Sequence, residues 1–80
     1  MKEQLIQKVV PLTLARKGQN VKVVAIEGGK QVTLRLLSMG ITSGVTLKIE
    51  KAGGNGPILV ALNGSKVALG HGVGQKVMVE

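Results

Sequence analysis

The chain has 80 residues, of which 44% are apolar and 19% are charged, and its formal net charge is +7. This length allows one domain, and the apolar fraction is too high for a disordered chain. The sequence contains no cysteine and no aromatic residue. It therefore excludes disulfides, thiol nucleophiles, aromatic-lined peptide grooves and base-stacking platforms.

The first residues are predicted to be a lead-in segment, residues 1–10, before a single domain that spans residues 11–80. Apolar residues between Leu5 and Val10 recur at helical spacing, which favours either a short helix or a docked segment. Pro11 would end such a helix, because proline clashes with the preceding turn.

The predicted location is the cytoplasm. The apolar pair Leu5-Ile6 is interrupted at once by Gln7-Lys8, unlike the apolar region of a secretory signal. The longest apolar run, from Ile58 to Leu62, is far shorter than the roughly 20 residues of a membrane-spanning helix. We therefore expect no insertion into a membrane.

Alternating or β-branched apolar residues predict about five short strands. These are Val21 to Ile26, Val45 to Glu50, Ile58 to Leu62, Ser65 to Leu69 and Lys76 to Val79. Asn63-Gly64 is a strong hairpin signal between the third and the fourth. Five short strands are too few for a sandwich, whereas a curled sheet encloses a small core and hides its edges. The predicted fold is therefore mainly β, a small SH3-like barrel.

One short helix is predicted after the first strand, from Gln31 to Met39. The apolar residues of this segment fit both a strand and a helical face, and its ending favours the helix. Gly40 suits the left-handed position just past a helix, and Ile41 is expected to fold back near Leu36.

The chain offers few groups for catalysis or metal binding. It has four glutamates, no aspartate and a single histidine, His71. Metal sites draw on several ligands, so His71 is a candidate metal ligand only at a surface shared with another molecule. The run from Gly53 to Gly56 is followed by Pro57 and a strand, not by the lysine and helix of a phosphate-binding loop. We expect no enzymatic activity and no cofactor.

Several segments carry a resemblance to a known family. They are Pro11-Leu12, Ile26 to Gly29, Leu34 to Ile41, Gly44, Gly56 to Ile58, Asn63 to Gly70, and Lys76 to Val79. Together they resemble the ferrous iron transport protein A (FeoA) family over about residues 11–80. The resemblance implies an SH3-like barrel and a role beside FeoB, a bacterial membrane protein that carries a cytosolic G-domain and imports ferrous iron.

Two structural expectations go with these motifs. Their apolar side chains are expected in the core or against the helix, namely those of Leu34, Leu36, Leu37, Met39, Val67 and Leu69. The family has a short helix near residues 71–75. Here Gly72 and Gly74 each disfavour a helix by about 1 kcal/mol, so we predict a connector from Gly70 to Gly74.

The predicted function is that of a small cytosolic accessory protein of bacterial ferrous iron uptake, which binds the cytosolic part of a FeoB-type transporter and modulates it. Two alternatives stay open: the SH3-like barrel of an iron-dependent transcriptional regulator, and a basic nucleic-acid-binding barrel. The lysines are spread along the chain and no residue can stack on bases, so we expect no specific nucleic acid partner.

The predicted partner-binding residues lie on two segments. Lys30 and Arg35 are expected on the exposed side of the helix, and Lys51, Asn55 and Pro57 in the glycine-rich loop that follows a strand. Exposed strand edges would also allow a weak homo-oligomer.

Overall fold

A computed structural model describes residues 8–80, which form one antiparallel sheet of six short strands. The strands are β1 (Val10–Pro11), β2 (Asn20–Ile26), β3 (Thr46–Lys51), β4 (Ile58–Leu62), β5 (Ser65–Leu69) and β6 (Val77–Val79). Their spatial order is β1-β6-β2-β3-β4-β5. The mainly β class is confirmed, with one strand more than the five predicted.

The additional strand is β1, at the start of the described residues. Val10 pairs with Val79, and Pro11 pairs with Met78. The chain then makes a 3-10 turn, Leu12–Leu14. The first residues were predicted to form either a short helix or a docked segment, and Val10 is docked on the sheet. Leu5 lies with Ile6 outside the described residues, and the division at residues 10 and 11 stays a prediction.

The core is wholly aliphatic, and strand alternation builds it. In β3 and β4 every second side chain is buried, as a half-exposed strand requires. Among residues 8–80 no polar or charged side chain is buried. The buried apolar residues are Leu12, Ala15, Val21, Val23, Leu36, Ile41, Leu47, Ile49, Ile58, Val60, Leu62, Leu69, Val77 and Val79.

The predicted helix is confirmed to within one residue as α1 (Lys30–Ser38). Gly40 has a φ of +86°, the left-handed conformation expected just past a helix. Its N–H donates to the carbonyl of Leu37 at 2.9 Å, and the N–H of Ile41 donates to that of Leu36 at 2.9 Å. Both Leu36 and Ile41 are buried, so the chain folds back onto the last turn as predicted.

The predicted connector from Gly70 to Gly74 is wrong, because His71–Gly74 forms a short helix, α2. Gly74 is buried, and a Cβ atom built there would lie 2.6 Å from Cδ1 of Ile58 and 3.3 Å from Cγ2 of Thr13. A larger residue would force Ile58 to shift, so close packing favours glycine at this position although glycine is a weak helix former. Since α2 contacts the Leu12–Leu14 turn, the segments that follow the two edge strands meet each other.

Candidate functional site

Helix α1 presents apolar side chains on two opposite faces. Residues three or four positions apart share a helix face. Val32, Leu36 and Met39 therefore share one face, which packs on the barrel. Leu34 and Leu37 lie on the opposite face and are 53% and 52% exposed. The prediction that these two leucines pack in the core is therefore wrong.

The two basic residues predicted on this helix do not share a face. Lys30 precedes Leu34 by four residues and Leu37 by seven, so it lies on the exposed leucine face. We call these three residues the outer stripe. Arg35 lies toward the opposite face, because it lines a groove together with Val32 and other residues of that face. The helix itself carries no acidic residue.

The groove lies between α1 and the end of β5. It has a volume of about 80 Å³. Its lining comes from α1, from the end of β5 and from α2, and consists of Val32, Arg35, Leu36, Met39, Ala68, Leu69, Gly70 and Val73. Arg35 is the single charged residue among them. A space of this size is smaller than the roughly 300 Å³ or more of a typical small-molecule pocket, and it suits a single aliphatic side chain.

The three predicted loop residues lie apart from the groove lining. Lys51 ends β3 and pairs with Leu59, while Asn55 and Pro57 belong to the exposed connection to β4. Ile58, the residue after Pro57, pairs with Leu69, which lines the groove. The base of the loop and the groove are thus at the same end of the β4–β5 pair, although only Arg35 of the five predicted residues lines the groove.

His71 begins α2 and is half-buried. Within residues 8–80 there is no cluster of three or more histidine or carboxylate side chains that could hold a metal ion. In the same part of the chain, no helix combines the length and apolar character needed to cross a membrane.

Sequence reasoning missed the two leucines of the outer stripe, although the sequence contained a signal for them. Once the helix is placed at Lys30–Ser38, helical geometry puts Leu34 and Leu37 on the side opposite Leu36. A short helix can pack only one side against a small barrel. The other side must therefore remain exposed or bind another molecule.

Known proteins are similar to this chain in sequence and in fold. The profile of the FeoA domain family matches residues 10–80. A protein of Methanocaldococcus jannaschii that bears the name Fe(2+) transport protein A is 41% identical over 70 residues, which are 88% of this chain and 84% of that protein.

Two solved structures extend the comparison. The crystal structure of an iron uptake regulatory protein, FeoA, superposes with a TM-score of 0.86 at 37% identity, and covers 91% of this chain and 97% of that chain. A manganese-dependent transcriptional repressor superposes with a TM-score of 0.80 at 26% identity, over 89% of this chain and 40% of that chain. The fold is thus the predicted SH3-like barrel, and the chain belongs to the FeoA domain family of Fe(2+) transport proteins.

Proposed function

We propose that this protein is a cytoplasmic, non-enzymatic accessory protein of ferrous iron uptake, which binds the cytosolic part of a FeoB-type transporter and modulates it. One observation carries this proposal: the outer stripe of Lys30, Leu34 and Leu37 is exposed on helix α1. Membership in a family of Fe(2+) transport proteins supports the iron-uptake context.

The energetics of the two leucines favour a protein partner. Each leaves about half of its surface in water. Full burial of a leucine contributes roughly 1.5–3 kcal/mol, so covering the exposed halves of both would contribute about 2 kcal/mol. Lys30 beside them, on a helix without acidic residues, favours an acidic rim on the partner.

The experiment measures binding to the purified cytosolic part of a FeoB-type transporter. The double substitution Leu34→Gln and Leu37→Gln should weaken binding by about ten- to thirtyfold, the equivalent of about 2 kcal/mol. Leu14→Gln is the matched control, because Leu14 is 65% exposed but lies on the 3-10 turn. Equal binding of the double variant and the control would contradict the proposal.

The five predicted contact residues remain part of the proposal, and charge reversal tests them in the same assay. Arg35→Glu combined with Lys51→Glu should weaken binding and leave the fold intact. Lys48→Glu is the matched control, since Lys48 is an exposed lysine in the middle of β3. An affinity that does not change would remove these residues from the contact surface.

The match to a manganese-dependent repressor supports a second candidate, the barrel of a metal-dependent regulator. Capture of partners by the tagged protein from cytoplasm and membranes separates the two. A G-domain-bearing membrane protein supports the transport role. Recovery of nucleic acid, with affinity that falls steeply as salt rises, would favour the regulator or the basic nucleic-acid-binding barrel.

A further inference from the structure

The two edges of the sheet differ in what they offer a partner. Within residues 8–80, strands β1 and β5 each have a single neighbour. β1 has two residues and includes Pro11, which has no N–H to donate, so it is a poor template for a further strand. β5 has five residues and no proline.

The register of the β4–β5 hairpin shows which groups of β5 point outward. Asn63 and Gly64, with φ of 51° and 81°, form its two-residue turn, so Leu62 and Ser65 are the closing hydrogen-bonded pair. In an antiparallel ladder such pairs alternate with non-hydrogen-bonded ones. Lys66 and Ala68 are therefore the residues whose N–H and C=O groups point away from β4.

These outward groups are free to accept another strand. Lys66 and Ala68 are both exposed. Within residues 8–80, the backbone groups of Lys66 and Ala68 form no hydrogen bond to a turn, a loop or a side chain. A strand laid along β5 would complete up to four backbone hydrogen bonds, the usual basis of peptide recognition by strand addition.

The apolar groove continues this edge. Ala68 and Leu69 belong both to β5 and to the groove lining, with Leu36 across from them on α1. An added strand would thus pass the groove, and one of its aliphatic side chains would fill the 80 Å³ space. Alternate side chains of an extended segment face the same side, so the next apolar residue would lie two positions away.

Charge decides which kind of segment fits. Arg35 is in the groove lining, and Lys66 is on the edge strand with its Nζ 3.9 Å from a carboxylate oxygen of Glu50. That ion pair is long and the Lys66 side chain is 64% exposed, so Lys66 remains available to a partner. A second copy of this chain would bring another net charge of +7, which disfavours pairing of two β5 edges.

We infer that β5 accepts an extended partner segment that alternates aliphatic and acidic residues, with its backbone paired to Lys66 and Ala68 and one aliphatic side chain in the groove. The inference rests on the proposed function only for the source of the segment, the transporter.

The first test uses a synthetic probe, an acetylated eight-residue peptide that alternates valine and glutamate. In NMR titrations we expect the largest amide shifts at Lys66 and Ala68. Ala68→Pro removes one outward N–H without touching the β4 ladder and should weaken binding by about tenfold, whereas Ala68→Ser should not. Two altered peptides test the same contacts on the unsubstituted protein, so that no variant has to fold. A peptide N-methylated at alternate positions, and one with lysine in place of glutamate, should each bind at least about tenfold more weakly.

Several outcomes would overturn the inference. They are amide shifts confined to other elements, equal affinity of the N-methylated or lysine peptide, no binding at millimolar peptide, and self-association through β5 that Ala68→Pro abolishes. A second arm uses the transporter's cytosolic part. If Ala68→Pro and the unsubstituted protein bind it equally, the edge inference fails while the proposed function stands. If neither binds it, the proposed function fails, and the peptide titration still decides the edge.

Discussion

Helices α1 and α2 are stabilised in different ways. α1 has nine residues, ends in a hydrogen-bonded left-handed glycine cap and anchors itself through one fully buried leucine. α2 has four residues, two of them glycines, and ends with Gln75 as its C-cap, without a left-handed glycine. Its Gly74 packs closely against Ile58 and Thr13.

The difference shows which helix of this small domain can leave one face exposed to a partner. α1 is supported by its own hydrogen bonds and by one packed face, so its other face can carry Leu34 and Leu37 in water. α2 has few backbone hydrogen bonds of its own and also packs against Ile58 and the Leu12–Leu14 turn, so tertiary contact contributes more to its position. Substitutions in each helix should therefore separate stabilisation by local hydrogen bonds from stabilisation by tertiary packing.

The largest expected effect is at Leu36, which is 1% exposed. Leu36→Ala should lower the free energy of unfolding by about 2–5 kcal/mol, because it removes buried methyl groups and leaves a cavity. Leu37→Ala, one residue further on, should change it by less than about 0.5 kcal/mol. Urea unfolding followed by far-ultraviolet circular dichroism measures both. Similar losses for the two would mean that α1 has no distinct outer face.

The next largest effect is expected in α2. Gly74→Ala should destabilise the fold by about 1–2 kcal/mol, because overpacking against buried Ile58 exceeds the gain in helix propensity. Gly72→Ala is the matched control. No atom lies within 4 Å of a Cβ built at Gly72, so alanine there should stabilise α2 by about 0.5–1 kcal/mol. Stabilisation by both alanines would show that α2 does not depend on close packing.

The smallest of the three effects is at the cap of α1. Gly40→Ala should cost about 1 kcal/mol, since alanine is strained at a φ of +86° and its Cβ would lie 3.2 Å from Cδ2 of Leu62. Gly40→Asn should cost less, because asparagine tolerates this conformation. Thermal unfolding of the two variants compares them. A larger loss for asparagine would argue against a conformational origin.

The sequence predicted those parts of the fold that depend on local signals. The hairpin at Asn63-Gly64 and the end of α1 at Gly40 follow from the backbone conformations these residues allow. β1 and α2 could not be predicted in this way. β1 has two residues and exists through its pairing with β6, and α2 exists through a contact between residues 16 positions apart in sequence, Ile58 and Gly74.

The candidate site was predicted in part, for a related reason. The helix and its basic residues were identified, but their faces were not, because Leu34 and Leu37 were assigned to the core by their apolar character alone. The groove could not be predicted at all, since it needs the end of β5 beside α1. Arg35 is the one predicted contact residue that lines the groove, and its part in binding stays a prediction.

The aliphatic core has a further consequence. Every buried side chain within residues 8–80 is a branched hydrocarbon or alanine, and the chain contains no phenylalanine, tyrosine or tryptophan. The protein is therefore optically silent in the near ultraviolet. In a mixture with a transporter fragment, all tryptophan fluorescence comes from that fragment. Binding of this chain can therefore be followed by the change in the fragment's fluorescence, without a contribution from the chain itself.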